Sequence, residues 1–288
     1  MLDKVLQLAV NGAMAGAILA VPAIGLTTIF AVLRFVNFAV AGHMAVGAFA
    51  GYVLNATLGL PAWIAVLGAF AGAAAVGIAT DHVALRPLRS YPPLTLAIAS
   101  IALNVMVEST LRFIFGGSPK NYAIPLRHDW VFGPLQVGPQ QVESALIAIV
   151  AMTLLFLFLA LTTTGKAMRA VADNPTLADS KGIDPDRMAR IAVAAGMGLA
   201  GIGGMLVGLD TSIDPLVGFR AILSVFAAAV VGGLGSIPGA VVGGLVFGLA
   251  EELSLLAMPA TYKGAVGFLA ILIILTFKPN GLLGARAT

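Results

Sequence analysis

The chain has 288 residues, 59% of them hydrophobic and only 10% charged, with a mean hydropathy of +1.01. Soluble domains carry about 25% charged residues, so water is excluded as the main solvent. Sixteen Lys and Arg against 13 Asp and Glu leave a formal charge of +3, too small and dispersed for a nucleic-acid surface, and the absence of cysteine excludes disulfides, thiolate metal sites and a cysteine nucleophile.

Apolar stretches of about 18 residues can cross a hydrocarbon core of ~30 Å as helices. In chain order, spans are predicted over 5–33, 38–56, 61–84, 93–115, 143–162, 189–209, 219–234, 237–256 and 262–277. The expected fold is an all-α polytopic transmembrane bundle of eight or nine spans, a single transmembrane domain over 1–288. The first apolar run is too long for a secretory signal and reads as a retained span. The segments 37–51 and 230–244 are short and Gly-rich, and are predicted to be half-helices or re-entrant pieces. Such breaks need protein or a watery cavity to satisfy the freed backbone. The regions 24–52 and 220–250 share a texture of long helix, small-residue break and second helix, which suggests an inverted repeat.

Glycine pairs at Gly12/Gly16, Gly47/Gly51, Gly68/Gly72, Gly204/Gly208, Gly239/Gly243 and Gly244/Gly248 each fall on one helix face. They read as close helix packing or as a moving seam. If the loop 163–190 is cytoplasmic, alternation places Arg34, Arg86, Arg89, Lys278 and Arg286 on the same side, against Lys4, Arg112, Lys120, Arg127, Arg220 and Lys263 outside. The positive-inside tendency favours that orientation. The outer connection 116–142, with Gly116, Gly117, Pro119, Pro125, Gly133, Pro134 and Pro139, is expected to be an irregular lid.

The long polar stretch 162–187 reads as two short helices. Residues 166–173 place Lys166 and Arg169 on one face and Ala167, Ala170 and Val171 on another. Asn174-Pro175 and Asp184-Pro185 each supply an N-cap followed by a proline start. Gly182 is suited to a left-handed helix end, with Ile183 as its hydrophobic follower. A plain connection needs only a few residues, so this element reads as a docking surface, with a solvated amphipathic connector as the alternative.

Gly165 to Asn174, Ala178 and Gly182-Ile183 resemble the cytoplasmic loop of LivH-type branched-chain amino acid ABC importer permeases. Further matching pieces are Leu33 to Ala39 with Gly47-Ala48, Leu85 to Arg89, Gly232 to Ser236 with Pro238 to Ala240, and Phe277 to Leu282. The resemblance covers nearly the whole chain. It implies a bacterial inner-membrane, multi-pass permease subunit of an importer for branched-chain or other hydrophobic amino acids, moved by ATPase-driven alternating access. The implied partners are a second permease, identical or paralogous, two cytoplasmic ATPase subunits, an extracytoplasmic solute-binding protein and the lipid bilayer, with no nucleic acid. ATP and Mg would be used by the ATPase subunits, and this chain would bind no cofactor or metal. Gly165, Lys166, Ala167, Arg169, Ala170, Asp173, Asn174, Ala178, Gly182 and Ile183 would couple it to the ATPases. One departure is Val40-Ala41-Gly42-His43 after Asn37-Phe38-Ala39, where the family continues with His-Gly and an acidic residue. A urea or short-amide solute is therefore an alternative.

Neutral polar groups lining a path can bind a zwitterion without trapping it, which makes Asn37, His43, Ser100 and Asn104 candidates for the substrate pathway, although His43 reads first as a packed, hydrogen-bonded histidine. Glu108 and Arg112, four apart, are expected to form a helical ion pair. Asp81, His82, Glu251 and Glu252 read as interfacial. Gly196 to Gly201 fits GxGxxG but lies in an apolar helix, and Gly165-Lys166 lacks the other P-loop residues. No enzyme site is expected. A self-sufficient channel or secondary transporter would need protonatable groups in mid-span, and most spans carry none.

Overall fold

The computed structural model describes residues 2–124, 128–133, 135–259, 262–278 and 280–284. Pro125, Arg127, Pro134, Pro279 and Arg286 of the sequence reading lie outside them. The described residues form eleven α-helices, an all-α arrangement of polytopic type. Helix α1 spans Leu2–Leu33, α2 Val40–Tyr52, α3 Ala62–Thr80, α4 Pro93–Phe115, α5 Pro139–Leu161 and α6 Thr163–Asp173. Helix α7 spans Pro175–Ser180, α8 Pro185–Asp210, α9 Val217–Gly232, α10 Ile237–Leu253 and α11 Lys263–Phe277. Four of them begin on proline (Pro93, Pro139, Pro175, Pro185), because the first helical position needs no backbone N–H and favours a fixed φ.

Six helices are long and apolar enough to cross a membrane: α1, α3 with its extension to Leu88, α4, α5, α8, and α10 with its extension to Leu256. Helices α9 and α11 are shorter and apolar, and α2 has 13 residues before a π-helical turn at Val53–Thr57. Exposed Trp63, Leu67, Ile101, Val105, Leu154 and Leu272 give the bundle an apolar outside, as lipid requires.

Helix α8 is the axis, packed against α1, α2 and α3, while α1 also pairs along its length with α10. Small residues set these distances. A Cβ on Gly47 would lie 2.2 Å from Gly201 Cα, and one on Gly248 would lie 2.4 Å from Gly16 Cα. The contacts mirror one another: α1 packs on α10 as α8 packs on α3, and α2 sits among α3, α4 and α8 as α9 sits among α10, α11 and α1. Each half contains a long helix, an irregular break (34–39 or 211–216) and a shorter helix. The mirrored partner of 24–52 is thus about 201–232, not 220–250. The segment 230–244 is the end of α9 and the start of α10, joined by the turn 233–236, where Gly233 and Gly235 have φ of 107° and 91°.

One end of the bundle carries α6 and α7. The opposite end carries the connection 116–142, which contains an antiparallel hairpin of β1 (Trp130–Phe132) and β2 (Leu135–Val137). The connection is fastened by Tyr122, whose hydroxyl donates to the Ala48 carbonyl at 2.9 Å. A Lys120–Ile213 bridge and Gln7, whose amide oxygen accepts from Gln136 N–H at 2.9 Å, complete the fastening.

Candidate functional site

The element between α5 and α8 is built from local signals. The Thr162 hydroxyl accepts from Gly165 N–H at 3.0 Å and caps α6. Asn174 ends α6 and starts α7, its side chain accepting from Leu177 N–H at 3.0 Å. After α7, Gly182 N–H donates to Asp179 O at 2.8 Å and Ile183 N–H to Ala178 O at 3.0 Å, the paired bonds of a Schellman ending. That geometry needs a left-handed residue, and Gly182 has φ of 82°. Asp184 then accepts from Asp186 and Arg187 N–H at 2.9 and 3.1 Å and caps α8.

These caps fix which faces are presented. Gly165, Met168, Val171 and Ala178 are buried, and Ala167, Ala170 and Ile183 pack partly buried against the core. Gly165 has no room for a side chain, since a Cβ would lie 2.4 Å from Leu159 O. Lys166, Arg169, Asp173, Asn174 and Gly182 face outward. Leu177, at 58% exposure, is an apolar side chain on an otherwise polar tip.

Two attachments tie this element to the bundle. The Arg34 guanidinium donates to the Ala172 carbonyl at the end of α6. Arg34 is the one non-glycine described residue with positive φ, 57°, a conformation that non-glycine residues visit rarely. The second attachment is an ionic chain: Asp186, in the first turn of α8, receives Arg86 at 2.8 Å and Arg89 at 3.4 Å. Arg89 also meets both Asp81 oxygens, at 2.9 and 2.7 Å. Asp81 is 2% exposed, a buried ion-pair partner of Arg89.

The candidate pathway residues gather at α2. Asn37, His43, Ser100 and Asn104 are all buried. Ser100 Oγ accepts from Phe38 N–H at 3.0 Å, and Asn37 Oδ1 accepts from Ala39 N–H at 3.0 Å. Asn104 is aligned with the first turn of α2, where a Cβ on Gly42 would lie 3.1 Å from Asn104 Oδ1. His43 is on the other side, its ring nitrogens 2.7 Å from Ala39 O and 3.2 Å from Thr80 Oγ1. The expected Glu108–Arg112 pair is absent: Glu108 accepts from Asn104 Nδ2 at 2.9 Å, and Arg112 is exposed. Glu251 likewise is buried, accepting from Ser224 Oγ at 3.0 Å, while Glu252 pairs with Lys263.

A family profile described as "Branched-chain amino acid transport system / permease component" matches residues 8–275. The chain belongs to this family. This permease is 31% identical over 295 residues to the high-affinity branched-chain amino acid transport system permease protein LivH of Escherichia coli K12, covering 97% of this chain and 95% of the relative. It is 32% identical to the corresponding protein BraD of Pseudomonas aeruginosa, with the same coverage. Among solved structures, PsaBC from Streptococcus pneumoniae in complex with Fab aligns over 94% of this chain and 91% of its own, at 14% identity and a TM-score of 0.48.

Sequence reasoning about this permease missed Arg34, Leu177 and the Asp81–Arg89–Asp186 chain. Leu177 carried no sequence signal of its own, since adjacent helical positions can share a core-facing stripe; the packing of α7 turns Ala178 inward and Leu177 outward. Arg34 and Asp186 meet partners that are remote in sequence, and Asp81 and Arg89, eight positions apart, are brought together by the corner between α3 and α4.

Proposed function

We propose that this chain is the pore-forming permease subunit of an ATP-binding-cassette importer for branched-chain amino acids, acting in the bacterial inner membrane. The observation that carries the reading is α6–α7 itself, a capped element with a packed inner face, an outward polar face and an exposed Leu177, continuous with α5 and α8 and held by Arg34 at Ala172. Such an element converts a push from outside into motion of the bundle. The chain acts as a single domain over 1–288, with 163–190 as the cytoplasmic coupling element and 116–142 outside. Nine helices cross or partly cross the bilayer, with the N-terminal end outside and the mirrored halves forming an inverted repeat.

The partners are a second permease subunit, two ATPase subunits that bind the ATP and Mg, and an extracytoplasmic solute-binding protein. ATPase closure moves α6–α7, Arg34 draws on the break 34–39, and Asp186 draws on the corner between α3 and α4. The two sides of the membrane are thereby exposed in turn. The test is uptake of L-leucine by proteoliposomes holding the chain with those partners. Uptake should need ATP and the binding protein; uptake by the chain alone without ATP would contradict the assignment.

A further inference from the structure

The first turn of α2 lies deep in the bundle, beside Asn104 near the midpoint of α4, and carries unmet polar capacity. Its N-cap position, Ala39, has no side-chain cap. The N–H groups of Val40 and Ala41 reach only Asn37 O and Phe38 O, at 3.4 and 3.3 Å. Asn37 uses Oδ1 to accept from Ala39 N–H, which lays its amide over that turn, yet Nδ2 is buried without a partner among the described residues. Asn104 spends Nδ2 on Glu108, while its Oδ1, facing Gly42 of the same turn, is also buried and unpartnered. Asn37 is 0% and Asn104 5% exposed. A buried donor and a buried acceptor left open carry a desolvation cost, and both lie against one helix N-terminus, which favours a negative group.

Building on the transport reading, we infer that these groups form the solute site for a zwitterionic α-amino acid, its carboxylate toward the α2 N-terminus and Asn37 Nδ2, its ammonium toward Asn104 Oδ1. Glu108 supplies the countercharge for the ammonium through Asn104, and a helix N-terminus supplies partial positive charge for the carboxylate. The site is closed in this structure. Gly42 lies against Asn104 and Val107, and a Cβ on Gly218 of α9 would lie 1.8 Å from the Ala41 carbonyl. It opens when α2 parts from α4 or α9. Asn37 is three residues from Arg34, which holds the coupling element, so the same break that is drawn on carries the solute-binding group.

The experiment is equilibrium binding of tritiated L-leucine to the permease–ATPase complex in nanodiscs without binding protein, in parallel with ATP-driven uptake by the complete transporter. Wild type should bind saturably. 4-Methylpentanoate, which lacks the ammonium, isopentylamine, which lacks the carboxylate, and urea should compete poorly. Asn37→Leu and Asn104→Leu should each weaken binding roughly ten- to hundredfold, the loss of a hydrogen bond to a charged group. A variant that does not assemble with the ATPases is replaced by Asn37→Ser or Asn104→Ser. Wild-type-like binding in assembled variants, competition by urea equal to that by leucine, or uptake without saturable binding overturns the site. Absence of uptake by the complete wild-type transporter instead overturns the transport reading on which the site depends.

Discussion

The guanidinium of Arg34 donates to the carbonyl of Ala172, joining the end of α1 to the end of α6 across 138 positions of sequence. A backbone carbonyl is a partner that no side-chain substitution on α6 can remove, and the left-handed backbone of Arg34 shows that the turn is shaped to make the contact. Arg34→Gly keeps the conformation easy and deletes the bond. It should leave the complex assembled and hydrolysing ATP while lowering coupled leucine uptake about tenfold, on the scale of one charge-assisted hydrogen bond. Parallel uptake and ATPase assays check this; equal rates in both would remove Arg34 from the coupling path.

Leu177 offers an apolar side chain at the tip of α7. Burying a leucine contributes about 1.5–3 kcal/mol. Leu177→Asp should therefore weaken association with the ATPase subunits by roughly ten- to hundredfold, measured by titrating those subunits onto the permease in nanodiscs. Unchanged affinity would place the contact elsewhere.

Gly182 ends α7 with positive φ and has open space around its α-carbon. The Cβ of Gly182→Val meets no neighbour within 4 Å, and the variant is strained through its left-handed backbone by at least about 1–2 kcal/mol. Uptake should fall with little change in expression, whereas Gly182→Asn, which tolerates the left-handed region, should retain most of it. Arg169→Glu, on the outward face, should impair coupling without lowering the melting temperature. A stable Gly182→Val protein with full uptake would show that the shape of this turn is unimportant.

Both Asp81 carboxylate oxygens accept from Arg89 Nη2, in a pair whose side chains are 2% and 18% exposed. Asp81→Asn removes the buried charge and leaves Arg89 with Asp186 alone, at 3.4 Å, so it should destabilise the protein by about 2–3 kcal/mol. Arg86→Ala breaks a pair whose side chains are 39% and 50% exposed and should cost under about 1 kcal/mol. Thermal unfolding in one detergent ranks the two; the reverse order would mean the α8 end of the chain carries the stability.

Gly47 and Gly201 let α2 and α8 touch backbone to backbone. Gly47→Leu has no flexible neighbour to displace and should reduce folded yield sharply, beyond the 1–3 kcal/mol usual for overpacking. Gly264→Leu, with nothing within 4 Å of its Cβ position, serves as the control. Size-exclusion profiles of the two should differ plainly.

The membrane class, the rough extents of the long apolar helices and the turns that start and stop α7 were legible in the sequence because each depends on neighbours within a few residues. Runs of apolar side chains set span length, Asn174-Pro175 and Asp184-Pro185 start helices, and Gly182 stops one. Three-dimensional packing alone decided what those pieces meet. Glu108, expected beside Arg112, is taken by Asn104. Asp81, expected at an interface, is buried against Arg89. The mirrored partner of 24–52 lies nearer α8 and α9 than the texture of 220–250 implied. Residues four apart on a helix are neighbours, so Glu108 had a local candidate on either side, and the burial of Asn104 with Arg112 turned outward selected between them. The choice between those partners belongs to the way the helices pack.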